Sequence, residues 1–123
     1  MTGDTLGIQV TATDDGQAVL FVLDGNLDVA TSPSLRAALL ERAEHDRHEI
    51  IVDLSRLEFL DSTGLGALIG ARKRAAEHGG SLRLVAHEGQ ILRLLRITGL
   101  LEVFAVYPSI EAALAGETRL VGL

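Results

Sequence analysis

Asp61, Ser62 and Thr63 set a carboxylate beside two hydroxyls, with Gly64 and Gly66 close behind. A hydroxyl in such company can attack a substrate, cap a helix or receive a phosphoryl group. Attack requires a general base within hydrogen-bond reach and a set of oxyanion donors. None of the four histidines, His45, His48, His78 and His87, lies near Ser62 in sequence. The element order derived below places His45 and His48 at the opposite edge of a sheet. It places His78 at the far end of the helix that Ser62 begins. A Ser–His hydrolase therefore has no source for its geometry.

Metal and nucleotide chemistry fare no better. No two histidines stand at i, i+4 and no ligand cluster has metal spacing. The run Gly64-x-Gly66-x-x-x-Gly70 has one residue too many for a dinucleotide loop, and no GxxxxGK[ST] phosphate loop is present. The single lysine, Lys73, sits in Arg72-Lys73-Arg74, which reads as the solvated face of a helix. A phosphoaspartyl receiver would want a lysine after its last strand, and Phe104 to Pro108 offers none. The expectation is a protein with no catalytic residues, no cofactor and no metal. Its hydroxyl is presented for modification. A phosphate at Ser62 would meet free backbone N–H groups and the positive end of a helix. It would also load charge onto a surface already holding Asp28 and Asp61.

The chain of 123 residues reads as one domain spanning 1–123, with a core over about 6–116 and short flexible ends. Hydrophobic residues make up 47% but aromatics only 3%, so the core is built from Leu, Ile, Val and Ala. There is no cysteine, which removes disulfides and thiolate chemistry together. A net charge of −6 with so few rings argues against nucleic acid, whose phosphates need a basic face. No apolar run approaches the roughly 18 residues of a membrane span, and the first residues carry acids. Cytoplasmic location is the default.

Alternation at Leu6, Ile8, Val10 and Ala12 predicts a first strand, and Asp14-Asp15-Gly16-Gln17 a turn into a second over 18–23. These two should be antiparallel. Asp24 to Asp28 reads as an exposed loop. Ser32 as N-cap with Pro33 behind it predicts a helix to about His45. A strand over 49–54 leads into the helix begun by Asp61 or Ser62 as cap and ended by Gly79-Gly80. Further elements are a strand at 82–85, a helix at 91–97, a strand at 102–107 and a helix that Ser109 caps. The alternation of strand and helix predicts an α/β fold. Its five-stranded mixed sheet has the first strand antiparallel and the rest parallel, with four helices mainly on one face. The loops at Asp24–Asp28 and Asp61–Thr63 then share the C-terminal edge, where such sheets carry their sites. Gly64 and Gly66 leave backbone uncovered, so a large partner could approach closely.

Asp61-Ser62-Thr63-Gly64-Leu65-Gly66 resembles the signature of anti-sigma-factor antagonists, the STAS-domain proteins of bacterial partner-switching systems. The resemblance extends to Asp24 through Asp28, Ile50 through Leu54, Thr98-Gly99-Leu100 and Ser109 through Leu114, roughly residues 8–115. It implies a STAS-type sheet and a switch. In that family the unphosphorylated antagonist binds an anti-sigma factor that is also a serine kinase, and so frees a sigma factor. The kinase uses ATP to phosphorylate the first hydroxyl after the motif aspartate, here Ser62, with Thr63 as a minor site. A PP2C-type phosphatase reverses the modification. Asp28 matches the loop aspartate of partner contact, and Asp61, Ser62, Thr63, Gly64, Leu65 and Gly66 complete the implied docking set. Asn26 stands where a glutamate is common, which removes one charge. The resemblance implies a non-enzymatic regulator that engages neither nucleic acid nor membrane. The alternatives are a STAS scaffold that is never phosphorylated, or a small nucleotide-binding or hydrolase domain.

Overall fold

The structure, a computed structural model, describes residues 5–45 and 49–121. His48 and parts of both ends, read above as flexible, lie outside these residues. The elements run β1 (Leu6–Ala12), β2 (Ala18–Leu27), α1 (Ser32–His45), β3 (Glu49–Leu60) and α2 (Ser62–Glu77). They continue with β4 (Ser81–Val85), α3 (Gln90–Ile97), β5 (Ala105–Tyr107) and α4 (Ile110–Ala115). One sheet has the order β1-β2-β3-β4-β5, with β1 antiparallel to β2 and every other pair parallel.

That order fixes where the helices go. Each crossover steps one strand in the same direction, and right-handed crossovers in one direction all fall on one face. Accordingly α1, α2 and α3 share a core with one side of the sheet, built on Phe21, Leu23, Leu35, Leu39, Ile50, Val52, Leu54, Leu68 and Leu84. Each such side chain, fully buried, contributes about 1.5–3 kcal/mol. After β5 no further strand constrains the chain, and α4 turns to the other face, where Ala113 packs with Ile51, Val85 and Tyr107.

Three boundaries differ from the expectation, each for a tertiary reason. β2 runs on to Leu27, so only Asp28 of the expected loop lies beyond it. Gly25 permits this: its φ is +104°, and a Cβ there would fall 2.5 Å from the carbonyl oxygen of Thr5. β3 runs to Leu60 and holds extra residues opposite β2, where Val22 and Asp24 face Asp53 and Arg56, and Gly25 and Asn26 face Leu57 and Phe59. Each bulge reverses the inward side, which is why Leu54, Leu57 and Leu60 all reach the core. Buried Asp53 accepts from the Ser55 N–H at 2.9 Å, occupying a donor inside the first bulge. Finally, the chain after Gly99 makes a 3-10 turn over Leu100–Glu102 that buries Leu101, and the last strand shrinks to Ala105–Tyr107.

Candidate functional site

The two bulges bring the ends of β2 and β3 level. Leu27 stands opposite Leu60, and the Asp61 N–H donates to the Leu27 carbonyl at 3.2 Å. Asp28 and Asp61 are therefore the first residues past two paired strand ends. Asp61 has extended backbone (φ −110°, ψ −177°) and its Oδ1 accepts from the Gly64 N–H at 3.0 Å. It is the N-cap of α2. Ser62 is thus the first helical residue, exposed, with no hydrogen-bond partner for its hydroxyl among the described residues. Thr63 beside it is exposed as well.

Asp28 carries a structural load that an exposed loop charge would not. Its Oδ1 accepts from the N–H groups of Ala30 at 2.9 Å and Thr31 at 3.1 Å, and its carbonyl accepts from the Ser32 N–H at 2.8 Å. Thr31 Oγ1 accepts from the Asp28 N–H at 2.9 Å and donates to the Asn26 carbonyl at 2.8 Å. The helical turn is thus begun at Asp28, and Ser32, expected as the cap, is already inside α1. Its burial (4% exposed) agrees with that place. Both aspartates cap with Oδ1, and neither Oδ2 has a partner within the described chain.

The motif glycines divide. Gly64 is buried against its own chain, where a Cβ would lie 2.7 Å from Leu27 Cγ and 2.9 Å from Leu60 Cδ1. Leu65 is buried beside it. Gly66 is exposed and a Cβ there would meet nothing within 4 Å. Ser62, Gly66, Ile69 and Lys73 recur at i, i+4, i+7 and i+11, so they form one exposed stripe along α2. Three exposed apolar side chains escaped the sequence reading as site residues: Val29 (70% exposed) next to Asp28, Phe59 (50%) two residues before Asp61, and Ile69 (39%) further along the α2 stripe. Phe59 looks like a core residue of an apolar strand, and only the second bulge turns it outward.

The remaining polar candidates lie elsewhere. His78 follows the last residue of α2, so about 24 Å of helix separates it from Ser62. His87 is exposed after β4. Among the described residues no group of three or more His, Cys, Asp or Glu could hold a metal. No described helix is long and apolar enough to cross a membrane. Among the described residues, this end of the sheet offers an unpartnered hydroxyl on a capped helix, two carboxylates each using one oxygen, and exposed apolar side chains on the same elements.

Residues 9–113 are similar in sequence to the STAS domain. An anti-sigma-B factor antagonist of Staphylococcus epidermidis is 32% identical over 106 residues, covering 86% of this chain and 96% of that one. A crystal structure of an anti-sigma factor antagonist from Mycobacterium paratuberculosis is similar with a TM-score of 0.84 at 27% identity, covering 94% of this chain and 96% of that one. The unphosphorylated form of the anti-sigma factor antagonist SpoIIAA gives a TM-score of 0.75 at 22% identity, over 89% of this chain and 95% of that one. At that identity the likeness concerns the fold alone.

Proposed function

The chain belongs to the STAS domain family, and from that premise we propose that it is an anti-sigma-factor antagonist whose binding is switched off by phosphorylation of Ser62. The observation that carries the switch is the state of Ser62 itself. Its hydroxyl is exposed at the first position of α2 and unpartnered within the described chain, because Asp61 has taken over the cap. Removing the hydroxyl from the fold's own bonding leaves it free for a kinase at little cost in stability.

The docking surface in this reading consists of the α2 stripe of Ser62, Gly66 and Ile69, together with Thr63, the free oxygens of Asp28 and Asp61, and the apolar side chains of Val29 and Phe59. Gly64 and Leu65 act from beneath, holding the start of α2 against Leu27 and Leu60. The unphosphorylated protein binds an anti-sigma factor that is also a serine kinase, and thereby frees a sigma factor. A phosphoryl group on Ser62 adds about −1.5 to −2 charge to the sheet edge that already holds Asp28 and Asp61. The new charge is tolerated locally, since it sits at the positive end of α2, where the Ser62 and Thr63 N–H groups have no acceptor among the described residues. A partner that has fitted a neutral hydroxyl into its interface is repelled. A PP2C-type phosphatase resets the state, and the protein works in the bacterial cytoplasm by binding and not by turnover.

Incubation with the cognate anti-sigma factor kinase and ATP should add the mass of one phosphate, mapped to Ser62, and abolish the complex. A protein that still binds equally well after full modification would reduce it to a scaffold.

A further inference from the structure

The two edges of the sheet are treated differently. β5 is three residues long, and Leu120 bridges it, its N–H donating to the Val106 carbonyl at 2.7 Å. β1 is seven residues long, Leu-Gly-Ile-Gln-Val-Thr-Ala, with no charge, no proline and an unbroken register against β2 from Leu6 to Ala12. Natural sheets blunt an open edge with charges, prolines, bulges or a covering segment. β1 holds no charge, proline or bulge, and among the described residues no segment covers its outer edge.

The ladder says which groups are open. The Thr13 N–H donates to the Ala18 carbonyl, and the Thr5 carbonyl accepts from the Asn26 N–H. Odd-numbered residues of β1 therefore face β2 with their backbone groups, as antiparallel pairs alternate. The N–H and C=O of Leu6, Ile8, Val10 and Ala12 point away from the sheet. Their side chains lie on the helix-bearing face, where Leu6 and Ile8 are half-buried against the core and Val10 is 41% exposed.

We propose that this edge pairs with the β1 of a second copy, antiparallel about a two-fold axis at Gln9. In that register Leu6 faces Ala12 of the other copy and Ile8 faces Val10, so every open backbone pair meets an open backbone pair. The same register sets apolar side chains opposite one another on one face and Gly7, Gln9 and Thr11 on the other. The strand is self-complementary, as a two-fold interface must be. Its lack of charge matters because each copy carries a net −6, and the acidic turn residues Asp14 and Asp15 lie beyond the strand's end. The C-terminal ends of β2 to β5 then point in opposite directions in the two copies, leaving both Ser62 surfaces open. The inference stands whether or not Ser62 is a phosphosite.

Sedimentation and amide hydrogen exchange on the full chain test it. The expected result is an apparent mass that doubles with rising protein concentration, and at higher concentration in salt-free buffer than in salt. The amides of Leu6, Ile8, Val10 and Ala12 should gain protection in the concentrated sample alone. Val10→Pro removes an outward N–H while sparing the β2 ladder, and Val10→Lys sets a charge against the other copy. Both should sediment as monomers with unchanged circular dichroism, and if the proline variant misfolds the lysine variant decides. A monomer at every concentration, dimerisation that survives Val10→Lys, or protection gained elsewhere than on these amides would overturn the proposal.

Discussion

Gly64 lies so close to Leu27 that a Cβ added to it would stand 2.7 Å from Leu27 Cγ and 3.0 Å from the Leu27 carbonyl oxygen. The start of α2 is thereby pressed onto the end of β2, and the loop holding Asp28 is kept beside the one holding Ser62. Gly64→Ala should cost about 1–3 kcal/mol, the usual penalty of overpacking. Gly66, two residues on, faces open space. Gly66→Ala should raise stability by about 0.5–1 kcal/mol, as Ala is the better helix residue. Urea denaturation of both variants checks the contrast. On the proposed docking surface the Gly66 methyl should weaken anti-sigma factor binding in spite of the firmer fold.

Asp28 both caps a turn and offers a carboxylate oxygen unused among the described residues, and two substitutions separate these roles. Asp28→Ala should lower stability by about 0.5–2 kcal/mol, because the Ala30 and Thr31 N–H groups lose their acceptor. Asp28→Asn keeps an acceptor oxygen and should leave the thermal midpoint nearly unchanged. Binding of the anti-sigma factor should fall in both. Full affinity in the Asn variant at normal stability would leave Asp28 with the cap alone.

The β1–β2 turn provides a test by pH. Asp15 is held below its ordinary value near 3.8, first by the hydrogen bond from the Gln17 N–H and then by the Thr13 hydroxyl. A carboxyl lowered on folding stabilises above its unfolded pKa, and that support fades as the pH falls through the folded value. The Gln17 amide resonance should therefore titrate with a midpoint under 3.8, and the transition should vanish in Asp15→Asn. A midpoint at or above 3.8 would mean the two bonds do not favour the charged form.

Much of this was written locally in the chain. Leu6, Ile8, Val10 and Ala12 alternate as a strand must, and Asp61-Ser62-Thr63 before a periodic run marks a helix start. Other features were decided by partners far off in sequence. Asp24-Gly25-Asn26 has the composition of a turn, yet pairing with Thr5 on one side and β3 on the other keeps it in the sheet. The bulges of β3 break the period of two, so Phe59 could not be told from a core residue. Ser32-Pro33 carries a sound start signal that is outrun by Asp28, because the first turn is set by where β2 ends. Which of Asp61 and Ser62 caps α2 was equally open, since either residue type serves.

That last distinction governs what substitution at Ser62 should do. With Asp61 as cap, Ser62→Ala removes no hydrogen bond of the described chain and should change stability by no more than about 0.5 kcal/mol. It keeps the surface neutral, so the anti-sigma factor should still bind but could no longer release itself by phosphorylation. Ser62→Asp should fold normally too, since an acid in the first turn interacts favourably with the helix dipole. Its carboxylate nonetheless enters an interface beside Asp28 and Asp61, where an unpaired buried charge is costly. Affinity should fall for the Asp form and hold for the Ala form, so the two variants move signalling in opposite directions on an unchanged fold. Isothermal titration of both against the anti-sigma factor decides it. Equal affinities would show that position 62 does not gate the complex, and the switch would then have to be sought at exposed Thr63.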